Sequence, residues 1–233
     1  MIKTDKEIRF IRKSCLVTDA CFSELLPNIH VGVTEQELNR KLNQIFVKHN
    51  VKPAFPPIVA FGKHTSIVHY MTSSASDTRC RKNEIILLDF GVKVNGYCSD
   101  MTRMVFAGTP KEEWVNAYNV IIKIQQSCLD KIQKLHTGSF PGARLDKYTR
   151  SQITKFGLPP YPHGLGHNLG IIIHELHRLS RRKPAKISHG MAFTIEPGTY
   201  IKNTFGIRIE DTVYWSQNGL EILTKTPKKL III

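Results

Sequence analysis

Leu88-Asp89-Phe90-Gly91-Val92-Lys93-Val94-Asn95-Gly96-Tyr97-Cys98-Ser99-Asp100-Met101-Thr102-Arg103 is the stretch whose reading decides the fold. It closes an apolar run of strand length, residues 84–92, that carries an acid, Asp89, near its end. Val94-Asn95-Gly96-Tyr97 has hairpin-turn chemistry, because Asn and Gly accept the positive φ that tight turns require. Residues 100–106 then return as a second strand. Side chains alternate across a strand with a period of two, so this hairpin can place Asp89 and Asp100 on one face.

Two more acids follow apolar strands downstream. Glu196 follows Met191-Ala192-Phe193-Thr194-Ile195, and Glu210 follows Gly206-Ile207-Arg208-Ile209. Between them and the hairpin lies His163-Gly164-Leu165-Gly166-His167-Asn168-Leu169-Gly170-Ile171-Ile172-Ile173-His174-Glu175. A carboxylate buried alone costs roughly several kcal/mol or gives up its charge. Singly, Asp100 could cap a turn, His167 could be a hydrogen-bonded core histidine, and Glu210 could pair with Arg208. Together, Asp89, Asp100, His167, Glu196 and Glu210 call for a shared counter-charge, which a pair of divalent cations supplies.

The rest of the chain reads as α+β. Residues 6–26 are periodic like a helix, with Ile8, Ile11, Val17, Cys21 and Leu25 on one side. Thr34-Glu35-Gln36-Glu37 resembles a capping box, opening a helix to about residue 48. Pro53-Ala54-Phe55-Pro56-Pro57 turns into a strand at 58–60. Helices are expected over 111–135 and 146–156, then strands and turns over 163–174, 191–201, 206–215 and 220–224. The order of helices then strands, twice over, suggests two halves of similar make-up contributing to one sheet. The 233 residues, 41% of them hydrophobic, suit one domain, 1–233. No apolar run is long enough to span a membrane, and the N-terminus lacks a signal's apolar stretch, so a cytoplasmic protein is expected. Five cysteines without a C-x-x-C pair fit free thiols and no zinc ribbon. The net charge of +14 is spread thinly. Its densest runs, 178–183 and 225–229, have no interleaved aromatics, so a solvated basic surface is favoured over nucleic-acid binding.

The hairpin motif, H-G-L-G-H-N-L-G-I-I-I-H-E, F-T-I-E-P-G and G-I-R-I-E-D together resemble the pita-bread metallopeptidases, over about residues 5–225. That resemblance implies a curved antiparallel sheet flanked by helices, in pseudo-two-fold halves. It implies metal ligands Asp89, Asp100, His167, Glu196 and Glu210, in the family's order D, D, H, E, E. Three features are similar to its aminopeptidase P and Xaa-Pro dipeptidase (prolidase) branch: Thr65-Ser66-Ile67-Val68-His69-Tyr70, His163 four residues before His167, and Arg208 two before Glu210. Members of that branch usually carry a further N-terminal domain that these residues do not include, whereas methionine aminopeptidases are often this short. Where the family often has a proline soon after the H-E pair, this chain has Glu175-Leu176-His177.

By the same resemblance, Asp89 would chelate one metal, Asp100 and Glu210 would bridge both, and His167 and Glu196 would complete the second. The ions would lie about 3.5–4 Å apart. Glu196 would carry the proton to the leaving amine, and His69 and His174 would contact the substrate carbonyl. His163 and Arg208 would line the proline side, with Arg208 suited to a carboxylate. Four oxygen donors and one imidazole favour Mn²⁺, with Co²⁺, Fe²⁺ or Zn²⁺ able to fit. The expected activity is release of an N-terminal residue from Xaa-Pro peptides or splitting of Xaa-Pro dipeptides, by a monomer or homodimer. The alternatives are a methionine aminopeptidase and a non-enzymatic protein that binds protein or nucleic acid.

Overall fold

The computed structural model describes residues 2–72, 77–182 and 185–233; Lys183, in one of the basic runs, lies outside them. The first half of the chain opens with α1 (Asp5–Leu25) and α2 (Glu35–Lys48). Both start with a full capping box, Thr4 with Glu7 and Thr34 with Glu37, in which each threonine accepts from the glutamate's N–H and each carboxylate accepts in return. The apolar face of α1 is Ile8, Ile11, Cys15, Phe22 and Leu25, with Thr18 also buried. Val17, expected on that face, is only partly buried at its edge, because the buried positions advance by three and four residues and step past it. Thr34→Ala removes the cap of α2 and is expected to lower stability by about 1 kcal/mol, or roughly 2–4 °C, in thermal denaturation.

Strands β1 (Lys52–Pro53), β2 (Ile58–Phe61), β3 (Glu84–Phe90), β4 (Val92–Val94), β5 (Tyr97–Cys98) and β6 (Met101–Ala107) complete this half. The second half repeats the plan with α3 (Glu112–Gln133), β7 (Ser139–Pro141), α4 (Gly142–Lys155), β8 (Gly166–His167), β9 (Arg178–Leu179) and β10 (Lys186–Ser188). It ends with β11 (Met191–Ile195), β12 (Gly198–Ile201), β13 (Phe205–Arg208), β14 (Asp211–Ser216) and β15 (Gly219–Ile222). Every named strand pair is antiparallel. The two largest ladders are β2-β3-β6 and β11-β14-β15.

The expected hairpin forms, but it is broken in the middle. Pairing of β3 with β6 places Asp89 opposite Thr102, and β4 pairs with β5 beyond the break. Gly91 sits at the break, where a Cβ would lie 1.8 Å from the Ser99 carbonyl oxygen. Ser99 therefore crowds the strand at a point only glycine fits. The break turns Asp100 out of the ladder, and its main chain is held instead by Thr212 of β14, which donates to the Asp100 oxygen at 2.8 Å. Glu210 N donates to Thr102 O at 3.2 Å, so the two halves meet where the acids lie.

That seam is reinforced from beneath. Arg103 is 1% exposed and donates to Asp211 Oδ1 at 2.6 Å, to the Glu210 carbonyl and to Thr226 O. Lys228 and Gln125 hold the other oxygen of Asp211, so this buried ion pair is also hydrogen-bonded throughout, the condition under which burying charge is tolerable. One large apolar cluster packs α3 and α4 against β11, β13, β14 and one face of β2, β3 and β6, and another packs α1 and α2 against the other face of β2, β3 and β6. No helix among the described residues is long and apolar enough to cross a membrane.

Candidate metal centre and substrate pocket

One cavity of about 780 Å³ is lined by all nine residues singled out in the sequence: His69, Asp89, Asp100, His163, His167, His174, Glu196, Arg208 and Glu210. Ligand atoms of Asp100, His167 and Glu210 lie within 4.8 Å of one another. His167 Nε2 is 3.4 Å from Asp100 Oδ2 and 3.6 Å from Glu196 Oε1. Asp89 Oδ2 accepts from Arg208 Nη2 at 2.5 Å.

The electrostatics are those of an acid cage. Burial, reinforced by Asp100, Glu196 and Asp89, pushes Glu210 well above the usual carboxylate range. Burial likewise raises Asp89 to about 6, against the pull of Arg208, and Glu196 to about 7, against the pull of His167. Burial opposes a charge on His167, but its bond to Asp100 and the field of Glu196 outweigh that and raise it. Asp89 Oδ1 and Asp100 Oδ1 are buried and accept no hydrogen bond among the described residues. Orphaned carboxylate oxygens are costly unless something positive faces them. Together with oxygen-rich donors and one imidazole, they fit a divalent cation.

Neighbouring side chains hold the acids in place. Thr102 Oγ1 donates to Glu210 Oε2 at 2.6 Å and accepts from Arg208 Nε at 3.1 Å. Thr194 Oγ1 donates to Glu196 Oε1 at 3.1 Å. The Arg208 fork is fully engaged, on Asp89, Tyr200 OH, Val68 O and Thr102. The carboxylate it grips is therefore one of the cage's own. His163 Nε2 bonds Tyr200 OH at 3.0 Å, and burial with the nearby Arg208 lowers its pKa to about 3. His174 meets the His167 ring edge-on at 4.3 Å; burial, then the His167 charge, lowers it to about 4. His69 is lowered by burial and by Arg208.

Several site residues escaped the sequence reading. Tyr200 sits opposite Gly206 in the β12–β13 hairpin, one step diagonal from Arg208, so hairpin register could have found it. Thr102 lies opposite Asp89 in the β3–β6 ladder and so shares its face, a pairing that hairpin register could have found. Arg178 was grouped with a solvated basic run. The structure instead pairs it with His167 across β8–β9, lines the cavity with it, and leaves its guanidinium without an ion pair among the described residues. Leu176, where a proline was expected, is 84% exposed and adds no wall. Glu175 beside it turns inward to Lys3 Nζ at 2.6 Å, anchoring the His174 loop to the N-terminal segment.

These features belong to a known class. The profile of Metallopeptidase family M24 matches residues 9–217, and the chain belongs to that family. It is 34% identical over 233 residues to an Xaa-Pro dipeptidase of Pyrococcus furiosus, covering 99% of this chain and 65% of that protein. The solved structure of an Xaa-Pro dipeptidase from Bacillus anthracis superposes with a TM-score of 0.91 at 34% identity, over 100% of this chain and 64% of that one. An X-Pro aminopeptidase from Thermotoga maritima gives 0.92 at 32% identity, over 100% and 65%. The fold is thus the pita-bread fold expected from the motifs, and the chain spans slightly less than two thirds of the length of these relatives.

Proposed function

We propose that this chain is the catalytic part of a cytoplasmic dinuclear-metal exopeptidase that cleaves the bond between an N-terminal residue and proline. The observation that carries this reading is the convergence of five ligand-type side chains, four of them buried, and three histidines of lowered pKa on one cavity. Relatives named Xaa-Pro dipeptidase and X-Pro aminopeptidase support the substrate class. Asp89, Asp100, His167, Glu196 and Glu210 would hold two divalent cations, with Mn²⁺ favoured by the four carboxylates. The chemistry those ions supply when bound is polarisation of the scissile carbonyl and activation of water near neutrality.

The chain's own groups do the rest. Glu196, whose Oε1 is held by Thr194, would carry the proton to the departing nitrogen. His69 and His174, kept neutral by their surroundings, can donate N–H to the carbonyl oxygen as its charge grows. Arg208 fixes Asp89, and Tyr200 links Arg208 to His163. Arg178, which lines the cavity and makes no ion pair among the described residues, could receive a peptide carboxylate. A charge-assisted bond is worth about 1.5–3 kcal/mol. Arg178→Ala is therefore expected to raise KM for Ala-Pro by about 10- to 100-fold. The amide Ala-Pro-NH2, lacking the carboxylate, should be affected less than about threefold on the same reasoning.

The decisive experiment is a substrate panel of Ala-Pro, Ala-Pro-Ala and Met-Ala with added Mn²⁺. Cleavage of a proline peptide in preference to Met-Ala is the expected result. Faster cleavage of Met-Ala would make the chain a methionine aminopeptidase, and no cleavage by metal-loaded protein would leave a binding role.

A further inference from the structure

His69 lines the cavity, yet no hydrogen bond holds its imidazole among the described residues. Its direction must come from the backbone that carries it. That backbone, a 3-10 turn at Gly62–Ser66 running on to Tyr70, converges on a single carboxylate beneath the pocket wall. Glu35, the first residue of α2, has a fully buried side chain. It accepts from Phe61 N at 2.7 Å, from His64 Nδ1 at 2.9 and 3.1 Å, and from Tyr70 OH at 2.7 Å. The His64 and Tyr70 rings stack at 4.5 Å, so both ends of the turn close over the carboxylate. The start of a helix favours negative charge there, and the bonds replace the water the group has lost. On the opposite side, Arg208 Nη1 donates to Val68 O at 3.4 Å. The peptide units around His69 are thus held from two directions, by Glu35 through Tyr70 and by Arg208 through Val68. Nothing in the proposed chemistry uses Glu35 itself, which lies behind the pocket.

We propose that Glu35 is a positioning residue: by clamping His64 and Tyr70 it fixes residues 68–70 so that His69 faces the reacting carbonyl. This rests on the Xaa-Pro peptidase reading, in which His69 touches the substrate. A reacting group displaced by about 1 Å costs on the order of 100-fold in rate.

The test compares Glu35→Gln, Tyr70→Phe and the double variant on Ala-Pro with saturating Mn²⁺, together with the His69 ring resonances in metal-free protein, assigned by their loss in His69→Ala. Each single change is expected to lower kcat by about 10- to 100-fold, with KM altered less than about threefold. The double variant should match the more affected single one within about twofold, because both remove one interaction. The His69 resonances should shift or broaden in Glu35→Gln. Unchanged kcat, effects that multiply, or unmoved His69 resonances would each overturn the proposal. Should Glu35→Gln fail to fold, Tyr70→Phe, which keeps three of the carboxylate's four partner bonds, carries the same comparison. Wild-type protein that fails to cleave Ala-Pro would sink the peptidase reading, and the resonances would still decide the positioning role.

Discussion

Glu210→Gln is expected to raise the melting temperature of the metal-free protein at pH 8 by about 5 °C, and to remove its stabilisation by Mn²⁺. Without cations, Glu210 is a buried acid facing Asp100, Glu196 and Asp89. Glutamine keeps an oxygen to accept from Thr102 but brings no charge. Each unit by which burial raises a carboxyl pKa costs about 1.4 kcal/mol at high pH, and a chain of this size gains roughly 2–4 °C per kcal/mol. For the wild type, Mn²⁺ at 100 times its Kd adds about 2.7 kcal/mol, hence a rise of roughly 5–10 °C. The variant, lacking one acid of the cage, should gain far less.

The pH dependence follows with a definite sign. Asp89 at about 6, Glu196 at about 7 and Glu210 well above its usual range bind protons more tightly folded than unfolded. Their contribution is present at low pH and lost as pH rises through those values. His167, also raised, acts in the same direction. His163 at about 3 and His174 at about 4 act oppositely, but only below about 6.5, where unfolded imidazoles take up protons. From about pH 6.5 to 8, therefore, Glu196 and Glu210 govern. Metal-free wild type should lose melting temperature as pH rises across that window, and Glu210→Gln should lose less. Scanning fluorimetry reads both. A metal-free Glu210→Gln protein that melts below wild type at pH 8 would contradict the cage.

Glu196→Gln is expected to lower kcat on Ala-Pro by about 10²- to 10⁴-fold, the usual worth of a positioned proton carrier. Thr194 holds Oε1, while Oε2 lies 3.7 Å from His163 Nδ1. A glutamine keeps the shape and can still accept from Thr194, but it has no proton to give the departing nitrogen. KM should move little, because the lost step belongs to the transition state. The variant's metal content, measured alongside, separates a lost proton carrier from a lost ligand. A variant that keeps its metals and retains kcat within tenfold would remove Glu196 from the proton path.

Much of this was legible in the sequence because the site sits on strand ends, where alternation and turn chemistry are local. Asn95 does adopt positive φ, at 49°, and Gly96 follows at 84°, as the hairpin turn required. What stayed hidden depends on distant contacts. The break at Gly91 exists because Ser99 presses on it, which no periodicity reports. Residues 163–174 looked like a strand region, but only Gly166–His167 joins a ladder. The rest is a loop held by an ion pair to Lys3, 172 residues from Glu175. Arg178 looked like surface charge until β9 placed it opposite His167. The engaged fork of Arg208 was equally invisible, since its partners come from β3, β6, β12 and the segment before residue 70.

The most direct test of the acid cage is to count ions. Protein stripped with chelator, saturated with Mn²⁺, desalted and analysed by elemental mass spectrometry should retain two manganese per chain, falling below that count in Asp100→Ala. Retention of no manganese by the folded wild type, or an unchanged count in Asp100→Ala, would mean that these five side chains do not enclose a metal pair.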